Sequence, residues 1–299
     1  MLRATRVLRS QASVLAEDIG HKFIFGTIPA SSALTEVVEA CQSPSDLDEV
    51  KKGLFEFRYH GIHVKTGVAS ALVNKCIDMG ETETLVDMLK NKPQYGLFPT
   101  PSDYNNLCAH LNDKSEFRQS KSMFDQLVVD RHFSPNVMSY HHVSRAMLCT
   151  GTTSMCTKLL AYVTAGQADG VRMTANTMHR AAAAAAIRKQ QDEAAAYWTT
   201  AATSRDVPND VAVTAACKAI VNAMATNEAG LKKAVNKLIS LNTLPPEAAV
   251  WFPHIPERNP DIAKAMESAI AALEAAGLNV PDISPLTLPD AEEDEENKE

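Results

Sequence analysis

Phe98-Pro99-Thr100-Pro101-Ser102-Asp103-Tyr104-Asn105-Asn106-Leu107 and Ser134-Pro135-Asn136-Val137-Met138-Ser139-Tyr140 are one motif met twice, 36 residues apart. In each copy a proline closes a loop, small polar residues follow, and a tyrosine opens an apolar-periodic stretch. Proline cannot continue a helix, while Ser, Thr, Asn and Asp side chains accept from the free N–H groups of a first helical turn. Outward from this pair the same punctuation recurs at Pro29, His63, Pro99, Pro135, Val171, Pro208, Pro245 and Pro281, in steps of 34 to 37 residues. Between marks the chain offers an apolar-periodic stretch, a polar break and a second such stretch. A unit of that length is one helix pair, which buries its apolar face only by stacking on its neighbours.

The spacing predicts first helices over about 66–79, 102–112, 138–149, 174–189 and 210–225. Second helices are expected over about 45–58, 82–91, 116–130, 153–165, 190–204 and 228–241. From Glu116 onward, Phe117, Phe124, Leu127 and Val128 fall on one stripe, so that helix buries one face. Ser102, Asp103, Thr174 and Asp210 are the expected N-caps, and Gly80, Gly151 and Gly170 fall in the expected breaks. No alternating run of β-branched residues competes. The expected fold is all-α, a right-handed α-solenoid of about six to seven stacked helix-pair repeats over residues 28–280.

The Tyr104 and Tyr140 places, with Pro-Asn at 135–136 and Val207-Pro208-Asn209-Asp210 as closing elements, resemble the pentatricopeptide repeat. Tetratricopeptide landmarks are missing, and HEAT or armadillo units are longer, at about 40–47 residues. One segment is similar to a narrower family. Leu89-Lys90-Asn91-Lys92-Pro93-Gln94-Tyr95-Gly96-Leu97-Phe98-Pro99, with Val73-Asn74-Lys75-Cys76 and Leu54-Phe55-Glu56-Phe57-Arg58-Tyr59 upstream, resembles the mitochondrial ribosomal small-subunit protein twenty-seven family over roughly residues 45–130. The resemblance implies a non-catalytic protein of the mitochondrial small ribosomal subunit, with ribosomal RNA and neighbouring ribosomal proteins as partners. It brings no catalytic residues and no cofactor.

Composition agrees with a helical core. Alanines at 181–186 and 194–196 flank the expected turn of one unit, where small side chains let two helices approach. The six cysteines, at 41, 76, 108, 149, 156 and 217, contain no C-x-x-C pair and are expected as buried reduced thiols. Residues 1–27 form a separate N-terminal extension in this reading. Arg3, Arg6 and Arg9, with no acid before Glu17, build the basic amphipathic helix of a mitochondrial presequence, hence a matrix location. Residues 281–299 are expected as an acidic disordered tail, with seven acids and one lysine from Asp290 onward. No stretch approaches the ~20 apolar residues of a membrane span.

The formal net charge of −7 argues against a polyanion-binding protein only if taken whole. Residues 131–242 hold 12 basic and 6 acidic groups, whereas residues 243–299 hold 3 and 13. In the basic stretch Arg172, Arg180, Arg188 and Lys189 follow one another with no acid between Asp169 and Asp192, and Lys232, Lys233 and Lys237 form a second group. These seven are the candidate contacts to RNA phosphates or to a partner. In sequence-reading pentatricopeptide proteins a small polar residue two places after the aromatic works with an Asn or Asp at the unit's end. That place holds Ser70, Asn106, His142, His179 and Ala216, so Asn106 with Asn136 is the one candidate base-reader pair.

Catalytic motifs are missing: no phosphate-binding loop, dinucleotide fingerprint, H-E-x-x-H or nucleophile elbow occurs. His60 with His63, and His141 with His142, lack converging ligands for a metal. Trp198 reads as a packing anchor, and Trp251 with Phe252 as a cap on the end of the stack. The sequence thus points to a binding scaffold with no small-molecule substrate. Besides the ribosomal reading, a subunit of a respiratory or ATP-synthase complex and a pentatricopeptide RNA-processing or translation factor fit the same pattern.

Overall fold

The computed structural model describes residues 10–130, 132–203 and 210–281. Every regular element in them is helical. In chain order these are α1 (Gln11–Ile24), α2 (Ser31–Ala40), α3 (Asp46–Tyr59), α4 (Thr66–Met79), α5 (Thr82–Lys90), the single turn α6 (Lys92–Tyr95), α7 (Pro101–Asp113) and α8 (Phe117–Asp130). They continue as α9 (Val137–Cys149), α10 (Thr153–Ala168), α11 (Ala175–Ile187), α12 (Gln191–Thr203), α13 (Val211–Met224), α14 (Glu228–Leu241), α15 (Pro246–Trp251), α16 (Ile255–Arg258) and α17 (Ala263–Ala275). Two 3₁₀ turns, Phe252–His254 and Pro260–Ile262, flank α16.

Capping chemistry sets the period. Asp103 Oδ2 accepts from the Thr100 N–H at 2.8 Å, and the Asp103 N–H donates back to Thr100 Oγ1 at 3.3 Å. Asn136 and Ser139 repeat this reciprocal box. The Thr174 and Asp210 side chains accept from the first turns of α11 and α13. The expected cap at Ser102 or Asp103 is corrected to Thr100, because Pro101, with its fixed φ and missing N–H, suits the first helical position. On N-cap residues the ladder runs Ala30, Lys65, Thr100, Asn136, Thr174, Asp210 and Pro245, in steps of 35 to 38 residues. It gives six regular helix pairs and a seventh, irregular one that opens with α15.

The helices group into two compact units. The first comprises the described residues up to Lys114 together with Ser122–Pro135. Here α2 packs on α1, α3 and α4, and α4 packs on α5 and α7, around Leu34, Val50, Leu54, Phe57, Leu72, Leu85 and Leu107. The N-terminal boundary expected at residue 28 is corrected by α1. Ala12 and Ile19 are buried, and Phe23 sets its ring edge-on to Phe57 at 5.4 Å and stacks on His60 at 4.3 Å. Residues 11–24 are therefore part of the packed unit, while Arg3, Arg6 and Arg9 lie outside the described residues. The expected stripe of α8 holds at Phe124 and Leu127, whereas Val128 is exposed.

The second unit comprises Ser115–Lys121 and the described residues from Asn136. Its centre is α11, all thirteen residues of which are buried against α9, α10, α12 and α13. Alanines at 181–186 permit this, since a helix surrounded on every side has room only for small side chains. Gly166 in α10 serves the same end: a Cβ there would lie 2.6 Å from the Tyr140 ring and 2.5 Å from the Met173 methyl. The C-terminal elements do not simply extend the stack. α15 turns back to pack on both α13 and α9. Trp251 and Phe252 are wholly buried, and the Trp251 indole N–H donates to the Leu148 carbonyl at 2.8 Å. Arg258 stacks over the Trp251 ring at 5.3 Å and donates to Thr153 Oγ1. All six cysteines are buried free thiols. Residues 282–299, which are all of the expected tail but Pro281, lie outside the described residues.

Candidate functional site

Counted from the N-caps, Asn106 and His142 both stand six positions after theirs, Thr100 and Asn136. Ser70 and His179 stand five positions after Lys65 and Thr174. Six positions after the caps Lys65, Thr174 and Asp210 come Ala71, Arg180 and Ala216. Of the three such positions in the second unit, 142, 180 and 216, two are buried, while His142 is part-exposed. Arg180 is 2% exposed and Ala216 is wholly buried. The Arg180 guanidinium donates to Glu247 Oε1 at 2.8 Å and to the His141 carbonyl at 3.1 Å. Arg180 as a surface phosphate contact is thus corrected: it is the buried partner of α15.

Asn106 is exposed on α7 in the first unit. Asn136 belongs to the second, where its Oδ1 accepts from the Met138 and Ser139 N–H groups as the cap of α9. Its carbonyl oxygen is spent on the helix start.

The remaining basic candidates separate by helix geometry. Arg172 precedes α11, while Arg188 and Lys189 follow it, so a helix about 20 Å long lies between them. All three are exposed. On α14, Lys233 and Lys237 are one turn apart and share a face, whereas Lys232 is rotated about 100° from Lys233 and faces α17 beside Leu231 and Ala269.

What the sequence grouping missed is Lys218. It projects from α13 into the groove that α13 and α14 form, and there it meets Lys233 and Lys237. The groove has a volume of about 390 Å³ and an apolar floor of Val211, Ala215 and Ala234, with Thr214, Asn236 and Ser240 between the lysines. Among the described residues no carboxylate lines it. Val211 is 48% exposed, which leaves the floor open at one end. A lysine one helix away in space and at least 15 residues away in sequence gives no local signal. Only the antiparallel pairing of α13 with α14 brings it in.

Electrostatics elsewhere is structural. Burial pulls His141 down to about 3 and His179 to about 4, with Arg180 adding to both. Their Nδ1 atoms lie 3.3 Å from Thr174 Oγ1 and 3.2 Å from Thr214 Oγ1, so both rings are neutral packing groups. In the first unit Lys92 pairs with Asp130 and donates to the Tyr104 hydroxyl at 3.0 Å, while that hydroxyl donates to Asp130 at 3.0 Å. Burial pulls the Lys92 ammonium down to about 8. This closed network pins the turn α6 to α7 and α8. Among the described residues no group of three or more His, Cys, Asp or Glu could hold a metal, and no helix is long and apolar enough to cross a membrane.

No protein-family model matches the chain. Among solved structures it is similar to the pentatricopeptide repeat protein PPR10 in complex with an 18-nucleotide psaJ RNA element. The match is at 16% identity and TM-score 0.51, over 89% of this chain and 39% of that one. A cysteine-to-serine variant of PPR10 bound to the same element matches with the same identity, coverage and TM-score. The chain therefore spans about two fifths of the length of these neighbours. The likeness shows the fold, a pentatricopeptide-type α-solenoid.

Proposed function

We propose that this protein is a non-catalytic docking component of a ribonucleoprotein, namely of the mitochondrial small ribosomal subunit. It holds ribosomal RNA backbone and neighbouring proteins on its helical-repeat surface. The observation that carries this reading is how the second unit divides its surface. Arg180 and Ala216 are buried, Arg180 against the chain's own α15, whereas Lys218, Lys233 and Lys237 stand together around an open groove. Ammonium groups on flexible stems neutralise phosphates whatever the base, and they give affinity without a code. The ribosomal assignment and the matrix location rest on the residue resemblance at Lys92–Pro99 and on Arg3, Arg6 and Arg9.

Sedimentation of mitochondrial lysate tests it. The protein is expected to co-migrate with the small ribosomal subunit at millimolar magnesium and to leave that fraction when magnesium is chelated. Co-migration with a detergent-solubilised respiratory or ATP-synthase complex would overturn the assignment. A second reading, a pentatricopeptide RNA-processing or translation factor, draws on the RNA-bound state of the PPR10 neighbours. Tight binding of one short RNA over its scrambled sequence by the free protein would favour it.

A further inference from the structure

We infer that the lysine-rimmed groove between α13 and α14 is the docking site of the chain's own C-terminal tail, residues 282–299. The tail thereby competes with RNA for the same lysines. The inference rests on the proposed phosphate-binding role of that groove only for its consequence, and not for the docking itself.

Three observations converge. The first is complementarity of kind and of order. The tail sequence begins with Ile283, Leu286 and Leu288 among prolines and ends in eight residues, Glu292–Glu299, that hold six acids and one lysine. The groove offers the matching pair, an apolar floor at Val211, Ala215 and Ala234 and a rim of three ammonium groups with no acid beside them among the described residues. The second is that the lysines have no ion-pair partner among the described residues, although the chain as a whole carries an excess of acid. The third is reach. α17 packs along α14 on the face of Lys232 and Leu231, next to the face that bears Lys233 and Lys237. A helix with its side chains is about 10–12 Å across. From Pro281 to the first acid of the run, Asp290, nine residues can extend about 30 Å. That span exceeds the width of one helix, and a tether of this length gives an effective concentration in the millimolar range. Any RNA phosphate must displace the tail.

The test keeps the full chain. Glu292, Glu293, Glu295 and Glu296 are changed to Gln and Asp294 to Asn, and amide hydrogen exchange is followed over Val211–Lys218 and Lys233–Ser240. In ~50 mM salt the neutralised chain is expected to exchange at least threefold faster in both segments than the parent. Raising the salt to ~0.5 M should give the parent the same loss of protection, because the Debye length falls well below the groove's dimensions. A Lys218→Glu, Lys233→Glu, Lys237→Glu chain should match it, with the α11 amides unchanged as the control for folding. Affinity for a twenty-nucleotide oligouridine, measured in parallel, should rise about tenfold on neutralising the tail. Unchanged exchange in both segments overturns the docking, even if RNA affinity rises, since a remote acidic tail then merely repels RNA. Faster exchange without any gain in RNA binding supports the docking and refutes instead the groove's role in the proposed function.

Discussion

Arg180 and Glu247 leave water together, at 2% and 0% exposure, and are held at 2.8 Å. Desolvating both charges costs several kcal/mol each, and their attraction repays this only while the pair and its extra hydrogen bonds persist. The Arg180 bond to the His141 carbonyl supplies part of that, but Glu247 Oε2 has no hydrogen-bond partner. The pair therefore fixes where α15 docks more than it stabilises the unit. Arg180→Met alone or Glu247→Met alone should each destabilise the second unit by about 3–5 kcal/mol, and the double variant by clearly less than either single change. Both tryptophans, Trp198 and Trp251, belong to this unit, so urea unfolding followed by their fluorescence measures it. A double variant as unstable as the sum of the singles would show the two residues to be uncoupled. In the sequence Arg180 is indistinguishable from Arg172 or Arg188. Its acid lies 67 residues further on, and no local pattern records a partner at that range.

At the scale of elements, α9 and α11 carry the pH response. His141 and His179 are held neutral by burial, at about 3 and about 4, against an ordinary value near 6.5. Between those limits the unfolded chain binds protons that the folded unit refuses, so stability is complete above pH 6.5 and falls as the pH drops. Each ring contributes a slope of about 1.4 kcal/mol per pH unit. Unfolding monitored by tryptophan fluorescence should thus lose stability between pH 6.5 and 4.5, and His179→Gln should remove about half of that slope. An unchanged slope in the variant would place the proton uptake elsewhere. Asp46, in the first unit, is pulled down to about 2, first by a hydrogen bond with Ser10 and then by the Gln42 N–H. Its stabilisation is lost only as the pH falls below about 4, outside the histidine window. The paired helices were legible in the sequence because each is bounded by its own cap and carries its own apolar stripe. α4 and α14 end where the pattern predicts. α15 and α16 were not legible as helices, since Pro246, Pro253, Pro256 and Pro260 break every periodic window there. What places α15 is distant in sequence: Arg180, which holds Glu247, and the Leu148 carbonyl, which accepts from Trp251. α1 was concealed differently, by following directly on the basic segment and being grouped with it in one N-terminal extension.

For the whole molecule the distribution of charge decides more than its sum. The six-charge excess of residues 131–242 is spread over separate faces: Arg172 at one end of α11, Arg188 and Lys189 at the other, Lys232 towards α17, and Lys218, Lys233 and Lys237 around one groove. Only the last group is dense enough to hold one segment of a polyanion. Its affinity should therefore be set by counterion release and not by bases. For single-stranded RNA each neutralised phosphate contributes about 0.7 to the slope of log affinity against log salt. Lys233→Glu with Lys237→Glu should lower that slope by about 1.4 or more in titrations of oligouridine between ~50 and 200 mM salt. Oligoadenine and oligocytidine should bind the parent within about threefold of oligouridine, because ammonium contacts discriminate little between bases. Asn106→Ala should leave all three affinities unchanged. If that exposed asparagine instead proves to set a preference among the three, a base is being read in the first unit. Docking by charge would then be only part of the proposed RNA contact.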